Sequence, residues 1–526
     1  MNAVDQLIES IVSNTAMLDK FSAAVGDRLL KSDAFTGGVA GQQLVWYNLN
    51  PTIMFLYPYL ENVPLMAGNA EKGIAPIPRV ASKGGTACHW KTITAIDPDS
   101  IAGGVGRGQR AGAMRVDSHD MSAPFYGMGV EIPTDFETRY EAGQLIPEPL
   151  ATAAQSGLRA LMVRMEKMVI GGNSSLALLT TPTPSVTDGA ATGGSMSQGG
   201  GTLSVVCVAL TNDGYLRSSV AGGVPGQISR QNMDGTTTTY GGGSAAPSSP
   251  AGTLSLTASH TALVTVAPVS SAVGYAWFWG NAGAEKLGAI TTIAGIELKV
   301  DATGTQLASS LTADNSKDGL IPDGIITQTC GSTFGAASSS YVKYLANGSG
   351  AGAAAGSVGS GNGLTGDNAG GIVEFDAVFK DRWDNFRMGP TRILMNSQEV
   401  GNITKRILQQ AAGSTSLFRT SLVYDSKSGM IVGQRITAYH NKFTGKDVDI
   451  VIHPWVTPGT VIFWTDRVPY PLANVSNIIE FEERQGFYQI DWPLGTRQYQ
   501  SGFYWDGAFK NHFTPAFQML SNIGNN

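Results

Sequence analysis

One glycine-rich stretch of the sequence has the residue types and spacing of a nucleotide-binding turn. Gly106–Ala111 matches the pattern G-x-G-x-x-A, in which backbone amides approach the pyrophosphate of a dinucleotide. That chemistry requires a strand before the glycines and a helix after them. The residues on both sides alternate instead between apolar and polar types, as β-strands do. We therefore interpret the stretch as the flexible tip of a hairpin, which carries Arg107, Arg110 and Arg115.

Cysteine, histidine and aspartate residues do not occur at the spacings of known metal sites. Cys88 and His89 are adjacent, but no second ligand pair follows at zinc spacing, so strand positions are favoured over ligands. The aspartates near the tip lack the calcium-loop pattern with its bidentate glutamate, which favours solvated turn residues. The other histidines are dispersed, which leaves open a site assembled by folding but favours structural roles. These residues are Asp97, Asp99, Asp117, Asp120, His119, His260, His440, His453 and His512.

A row of aromatic residues admits a binding and a structural interpretation. Tyr275, Trp277 and Trp279 share one face of a strand, where they would suit either a sugar-binding surface or the core of a β-sandwich. The core is favoured, because a buried β face requires this spacing. No set of residues with catalytic spacing is left. The sequence therefore predicts a protein that is not an enzyme and that has no cofactor.

The overall composition favours a subunit of an assembly. Only 14% of the 526 residues are charged and 66 are glycine, so an isolated subunit would have little charge on its surface. Such a surface is easier to explain if other subunits cover much of it. The net charge of −6 argues against a protein whose main task is to neutralise phosphate.

The cysteines, the N-terminal residues and the apolar stretches indicate where in the cell the protein is made. The three cysteines are scattered and odd in number, which argues against a disulfide framework. Residues 1–20 have apolar positions at helical spacing without a basic start, as in an amphipathic helix rather than a signal peptide. No apolar stretch approaches the ~20 residues of a membrane span. We expect synthesis in a reducing, cytoplasmic environment and no membrane partner.

The first half of the chain is predicted to contain an arm and a long hairpin. Residues 1–72 form the N-terminal helix and an apolar, aromatic arm that prolines interrupt. Residues 73–137 form a β-hairpin with alternating strands at Val80–Ile96 and Met114–Phe136. Because two strands alone are marginally stable, this hairpin needs a partner surface.

A long helix follows in the segment 138–172. It is predicted to begin near Pro147 and to end near Ile170, a length of roughly 30 Å. Its apolar stripe repeats at i, i+4, i+7 and i+11 through Leu158, Met162, Met165 and Val169.

The second half mixes helices and strands. Residues 173–199 and 303–465 are predicted to form one mixed domain, in which Ser339–Asn368 is a low-complexity, exposed flexible loop. Residues 200–302 are predicted to form an inserted β-sandwich, and 466–526 is rich in strands. Because the regular βαβ rhythm is missing, the sequence predicts the α+β class.

The order of these elements, together with several stretches, resembles the major capsid proteins of tailed bacteriophages with the Hong Kong 97 fold. The stretches are Glu61–Leu65, Ile77–Val80, Glu166–Asn173, Pro390–Ser397, Ile452–Thr460 and Arg497–Lys510. The resemblance covers nearly the whole chain except the 200–302 insertion.

The resemblance implies an arrangement of the predicted segments. Residues 73–137 would be the extended loop that lies over a neighbouring subunit, and 138–172 would hold the spine helix of the peripheral domain. Residues 173–199 and 303–465 would be the axial domain, and 466–526 would return to the peripheral domain. The insertion would be an immunoglobulin-like or fibronectin-like module on the outside of the shell.

The resemblance also implies a function. The chain would self-assemble into hexamers and pentamers of an icosahedral phage head that encloses double-stranded DNA. Its partners would be other copies of itself, the DNA on the inner face, the portal, and scaffold or decoration proteins. The chain would be located in the virion, after assembly in the host cytoplasm. The alternative within the fold is an encapsulin-type nanocompartment shell protein. A surface adhesin or sugar-binding protein is an alternative from another class.

Two charged groups are candidates for contacts between subunits. The arginines near the hairpin tip are expected to pair with glutamates of another copy and to set the register of the assembly. The alternative is that these arginines are solvated, since exposed ion pairs contribute only ~0–1 kcal/mol. The glutamates admit an acid–base interpretation as well, but an exposed acidic strand edge that discourages misassociation is favoured. The candidates are Arg107, Arg110, Arg115, Glu480, Glu482 and Glu483.

Overall fold

The computed structural model describes most of the chain after the arm. The described residues are 63–68, 74–97, 106–108, 115–135, 149–232, 234–251, 254–331, 344–346, 363–367, 370–413, 424–425, 429–430, 436–492 and 498–524. They belong to the unit formed by Leu56–Glu141 and Glu148–Asn526. The predicted N-terminal helix and most of the arm lie outside the described residues.

The described helices and strands are numbered in chain order. The helices are α1 (Pro64–Ala67), α2 (Pro149–Gly171), α3 (Asn212–Arg217), α4 (Ile325–Gly331), α5 (Val373–Phe386) and α6 (Ser397–Gly413). The strands are β1 (Arg79–Ala81), β2 (Ala87–Asp97), β3 (Arg115–Pro124), β4 (Tyr126–Asp135), β5 (Ser185–Thr192), β6 (Thr202–Leu210), β7 (Gln227–Gln231), β8 (Thr237–Gly241), β9 (Leu254–Ser255), β10 (His260–Thr265), β11 (Gly274–Gly280), β12 (Lys286–Thr291), β13 (Gly295–Leu298), β14 (Tyr344–Ala346), β15 (Arg392–Met395), β16 (Tyr424–Asp425), β17 (Gly429–Met430), β18 (Ala438–Asn441), β19 (Lys446–Ile452), β20 (Val461–Trp464), β21 (Ile479–Asp491), β22 (Gln498–Asn511) and β23 (Phe517–Ser521).

The anchor sheet, as we call the sheet with strand order β1-β21-β22-β4, joins early and late parts of the chain. β1 runs parallel to β21, with Arg79 opposite Phe481. β22 pairs antiparallel with both β21 and β4. Alternation along β21 puts Ile479 and Phe481 in the core and Glu480 and Glu482 towards the other face. β21 is therefore an interior strand of this sheet.

Helix α2 covers the anchor sheet. Pro149 suits its first turn, because proline lacks the N–H that has no partner there. Its buried stripe runs through Leu161, Met165 and Met168 at i, i+4 and i+7, and packs against aromatic side chains of β21 and β22. The predicted stripe passed through Met162, which is only half-buried. The stripe is displaced because the sheet contacts the helix along a neighbouring row.

The mixed sheet, with strand order β14-β23-β20-β15-β19-β18, is covered on both faces. On one face lies α5, whose Phe375 and Phe379 contact Phe463 edge-to-face at centroid distances of 5.2 and 5.8 Å. On the other face, Leu394 and Ile462 share a core with α2. This double coverage explains the uninterrupted apolar run of β20.

Strand β14 corrects one prediction from the sequence. It lies inside Ser339–Asn368, the stretch predicted to be an exposed flexible loop, and pairs parallel with β23. The prediction is wrong for Tyr344–Ala346, because the pairing partner is far away in the sequence and the surrounding Gly/Ser/Ala composition obscures a short strand. Most of the other residues of Ser339–Asn368 lie outside the described residues.

Two facing sheets, which we call the β-unit, have the strand orders β13-β10-β5 and β12-β11-β6-β9. Their shared core contains Leu203 and Trp277 from one sheet and Val264 and Leu298 from the other. β5 begins at Ser185, upstream of the predicted 200–302 boundary, so that boundary was placed too late. Small polar residues in β5 gave the sequence no strand pattern.

The predicted hairpin strand Met114–Phe136 is also corrected, because it is two strands. β3 pairs with β2, and the chain then passes Phe125 and enters the anchor sheet as β4. An uninterrupted alternation cannot reveal that a strand changes partner. The described helices and sheets mix without a repeating βαβ pattern, which confirms the α+β class.

Candidate functional site

The hairpin formed by β2 and β3, which we call the β2–β3 ribbon, extends away from the anchor sheet. The ladder runs from Ala87 opposite Pro124 to Asp97 opposite Arg115, with one irregularity after Ile93. Eleven residues at ~3.4 Å each make a ribbon of about 35 Å. Among the described strands, neither β2 nor β3 has another neighbour. Both edges of the ribbon therefore present backbone groups for pairing.

Few side chains of the β2–β3 ribbon are covered within the chain. Of its residues whose side chains are described, Cys88 is the one that is buried. Ile93 is 66% exposed, which is unusual for a β-branched apolar side chain at the middle of a strand. The ribbon is thus a long element with an incomplete core.

The tip of the hairpin is described only in part. Arg107 lies in a turn between Gly106 and Gly108, is exposed, and has no ion-pair partner among the described residues. Arg110 lies outside the described residues. Arg115 pairs through its backbone with Asp97 at the end of the ladder. The structure thus places Arg107 on the surface of the chain.

The glutamates of β21 correct another prediction. They were expected on an exposed acidic edge, but β21 lies between β1 and β22, and the side chains of Glu480 and Glu482 are each 16% exposed. Lys510 Nζ lies 3.2 Å from Glu480 Oε1 and 3.4 Å from Glu482 Oε2. His512 Nε2 lies 2.9 Å from Glu480 Oε1. These four residues form a charged group, which we call the anchor cluster.

Two side chains of β2 connect the ribbon to the anchor cluster. Trp90 lies with its ring 5.3 Å from Lys510 Nζ and makes an edge contact with the His512 ring at 5.7 Å between centroids. Burial, with a hydrogen bond to Glu482, raises the pKa of the Cys88 thiol to about 12. Cys88 is therefore a protonated packing residue and not a nucleophile. The anchor cluster fixes the base of the ribbon on the sheet.

Glu483 belongs to a second contact at the same sheet. Its Oε1 accepts hydrogen bonds from Arg79 Nη1 at 2.7 Å and from Trp505 Nε1 at 2.6 Å. Arg79 also lies over the Phe487 ring, 4.5 Å from its centroid. Sequence reasoning missed Arg79 because 404 residues separate it from Glu483. All three glutamates therefore have partners inside their own chain.

Glu166 on α2 joins three distant segments. Its side chain is fully buried; Oε1 accepts hydrogen bonds from Leu65 N–H at 3.0 Å and from His453 Nε2 at 2.6 Å, and Oε2 accepts one from Met66 N–H at 3.0 Å. His453 Nδ1 accepts a hydrogen bond from Trp455 N–H at 3.3 Å, which leaves Nε2 to donate. This buried carboxylate ties α1 and the segment after β19 to α2.

The aromatic residues of β11 lie in the core, as the sequence favoured. Tyr275, Trp277 and Trp279 are each at most 5% exposed. Trp277 Nε1 donates to Thr291 Oγ1 at 2.7 Å, and Trp279 Nε1 donates to the Val300 carbonyl at 3.0 Å. Their faces and polar atoms are occupied, so they do not form a sugar-binding surface.

Few groups in the described part of the chain are candidates for catalysis or metal binding. His260 and His440 each have Nδ1 2.7 Å from an aspartate, Asp188 and Asp447 respectively. Within that part of the chain, no group of three or more His, Cys, Asp or Glu residues is arranged to hold a metal ion. No described helix is both long enough and apolar enough to cross a lipid bilayer.

Comparison with known proteins finds distant likeness only. No family model matches the sequence, and no curated protein matches it. Among solved structures, the chain is similar to the capsid of a native GTA particle, with 8% identity and a TM-score of 0.36 over 92% of this chain and 97% of that one. It is similar to the capsid of Myoviridae phage XM1, with 10% identity and a TM-score of 0.36 over 93% and 99% of the two chains. It is also similar to the capsid of cyanophage P-SCSP1u, with 6% identity and a TM-score of 0.35 over 93% of this chain and 96% of that one. At these identities and TM-scores, the likeness to all three structures is distant.

Proposed function

We propose that the chain is a capsid subunit of the Hong Kong 97 type, which self-assembles into the hexamers and pentamers of an icosahedral phage head around double-stranded DNA. The observation that carries the proposal is the β2–β3 ribbon. It is about 35 Å long, its edges are unpaired among the described strands, and Ile93 at its middle is exposed. A two-stranded ribbon of this kind is marginally stable alone, and a neighbouring copy would cover it.

The base of the β2–β3 ribbon supports the same proposal. The anchor cluster and Trp90 hold the ribbon at one end, while the rest of it has no covering element among the described residues. Because the β2–β3 ribbon is attached rigidly at its base, it extends in one direction. A fixed direction suits a contact that is repeated in every subunit of a closed shell.

The proposed division into capsid domains follows the described elements, with one change. The extended loop comprises β2, β3 and the tip between them, because β4 belongs to the anchor sheet. We propose α2 and the anchor sheet as the peripheral domain and the mixed sheet with α5 and α6 as the axial domain. The β-unit is proposed as an outward module of the immunoglobulin or fibronectin kind.

The assembly experiment uses the full chain. We expect purified protein to form closed shells or capsomers by electron microscopy and by light scattering after size exclusion. Replacement Ile93→Asp should abolish assembly while leaving the subunit folded, since a substitution at an exposed position changes stability by about 0.5 kcal/mol or less. Ile93→Val is the matched control and should assemble. Stable monomers at tens of micromolar for the unaltered chain, with scaffold added, would contradict the proposal.

The contents of the shell form a separate test. Particles from infected cells are expected to hold nuclease-protected double-stranded DNA, and to carry a portal and, before packaging, scaffold. Shells that enclose only protein would contradict the DNA part of the proposal and indicate an encapsulin-type nanocompartment instead. The same preparation also shows whether the chain is present in purified virions, which is the location that we propose.

The tip arginines are proposed to contact acidic groups of a neighbouring copy. The three glutamates already pair within their chain, so a contact with Glu480, Glu482 or Glu483 would share an occupied carboxylate. Reversal of charge at Arg107 and Arg110 together should reduce assembly yield or change shell size. Unchanged yield and size would remove these arginines from the interface.

A further inference from the structure

A cavity with three arginines lies on the side of α2 that faces β4. Its volume is about 450 Å³, and its lining includes Arg164 on α2, Arg217 at the end of α3 and Arg230 on β7. We call it the arginine cavity. Gly127 and Gly129 of β4 also line it, and Arg230 is exposed to solvent.

The ion pairs inside the arginine cavity leave a surplus of positive charge. Arg164 Nη1 lies 2.6 Å from Asp213 Oδ1, and Arg217 Nη2 lies 2.8 Å from Asp213 Oδ2. Asp318 approaches Arg164 Nη2 at 4.0 Å. Arg230 has no ion pair or hydrogen bond of its side chain among the described residues. Three guanidinium groups thus face two carboxylates.

The cations in and near the arginine cavity also affect one another. Burial lowers the pKa of Arg217, and the neighbouring positive charges of Arg164 and Arg230 lower it further against the opposing effect of Asp213. Burial also lowers the pKa of Lys167, to which Arg164 contributes. Each group is therefore more costly to keep charged than it would be in water. A bound anion would offset that cost.

We infer that the arginine cavity binds a phosphate-type oxyanion. Guanidinium groups donate paired hydrogen bonds to such oxygens, and several of them around one cavity suit a tetrahedral anion with more than one charge. Arg230 supplies the free donors, while Asp213 holds Arg164 and Arg217 in place. The shared chemistry is that of inorganic phosphate, pyrophosphate and a nucleic-acid backbone. The inference does not depend on the proposed function.

The test measures binding by isothermal titration calorimetry to the full chain at constant ionic strength. The probes are inorganic phosphate, pyrophosphate and a short DNA duplex, with chloride as the reference anion. Arg230→Gln should weaken binding of the effective probe at least tenfold. Arg467→Gln is the matched control, because Arg467 is another exposed arginine and does not line this cavity. It should leave the affinity unchanged.

The outcomes separate the sources of the anion. Binding of phosphate or pyrophosphate, weakened by Arg230→Gln alone, supports a small-anion site. Binding of the duplex alone, weakened in the same way, supports a backbone-phosphate site. If Arg230→Gln loses structure by circular dichroism, Arg230→Lys replaces it, and a smaller loss of affinity than tenfold is expected because the charge remains. Absence of binding for every probe, or equal weakening by Arg467→Gln, overturns the inference and leaves an internal salt-bridge network.

Discussion

The Nε2 atom of His453 lies 2.6 Å from Oε1 of Glu166, and neither side chain is exposed to solvent. The two residues are 287 positions apart in the sequence. Because the same carboxylate accepts two backbone N–H groups of α1, one buried charge connects α1, α2 and the end of β19. A buried carboxylate is tolerated only where donors surround it, and here three donors do so.

Glu166→Gln is expected to destabilise the folded chain. A glutamine directs its NH₂ group at one of the three donors, so a buried N–H loses its acceptor. The free energy of unfolding should fall by about 2–3 kcal/mol, measured by urea denaturation of the purified chain. Glu297→Gln at a partly exposed position is the control and should change stability by about 0.5 kcal/mol or less. Equal effects of the two replacements would show that the three hydrogen bonds are unimportant.

Cys88 is expected to react slowly with thiol reagents. With a pKa of about 12, only about one thiol in ten thousand is ionised at pH 8. The rate with Ellman's reagent should rise with pH up to that pKa. Glu482→Gln removes the negative charge beside the thiol, lowers its pKa and should accelerate the reaction on the order of tenfold. Cys88→Ser gives the background rate. A rate at pH 8 equal to that of an exposed cysteine would contradict the described environment.

Glu399 gives the stability a defined pH dependence. Burial raises its pKa, although Gly459 N–H and Asn402 donate hydrogen bonds to it. The folded chain therefore holds this proton more tightly than the unfolded chain. Its contribution to stability is complete below the unfolded pKa of about 4.3 and is lost as pH rises through the folded pKa.

Glu399→Gln tests this sign directly, because glutamine resembles the protonated acid. Relative to the unaltered chain, the variant should gain stability between pH 4 and pH 7, by about 1.4 kcal/mol for each unit by which the pKa is raised. Urea denaturation at several pH values measures the difference. A stability difference that stays constant with pH would contradict the raised pKa.

Two glycine replacements should have opposite effects. A Cβ at Gly288 would overlap the buried ring of Trp279, so Gly288→Ala should lower the free energy of unfolding by about 1–3 kcal/mol. Gly401 lies on the exposed side of α6 with open space around it, so Gly401→Ala should raise it by about 0.5–1 kcal/mol. Thermal denaturation of both variants checks the pair. Destabilisation by both would place Gly401 in a contact that the described residues lack.

Elements with strong local patterns were predicted well from the sequence. α2 carries apolar residues at helical spacing, so its own residues determine its structure. The alternation that predicted the hairpin is equally local. It produced the ladder of β2 and β3 but could not indicate where the strand leaves for another sheet.

The candidate site was predicted less well, because its contacts are long-range. Glu483 has Arg79 as its partner, and Glu480 has Lys510 and His512. Nothing in three nearby glutamates indicates that their strand is flanked on both sides. The alternation of β21 did contain one useful signal, since Ile479 and Phe481 alternate with Glu480 and Glu482, which is typical of a strand with one buried face.

The parallel pairing of β1 with β21 has a consequence for synthesis of the chain. Arg79 meets Phe481 across some 400 residues, so the anchor sheet cannot close until the C-terminal strands have left the ribosome. Such a long loop makes closure slow and exposes intermediates to aggregation. Until then the β2–β3 ribbon has no base to hold it. A nascent or truncated chain would therefore lack a fixed ribbon, and only the full-length chain would present the ribbon in one direction.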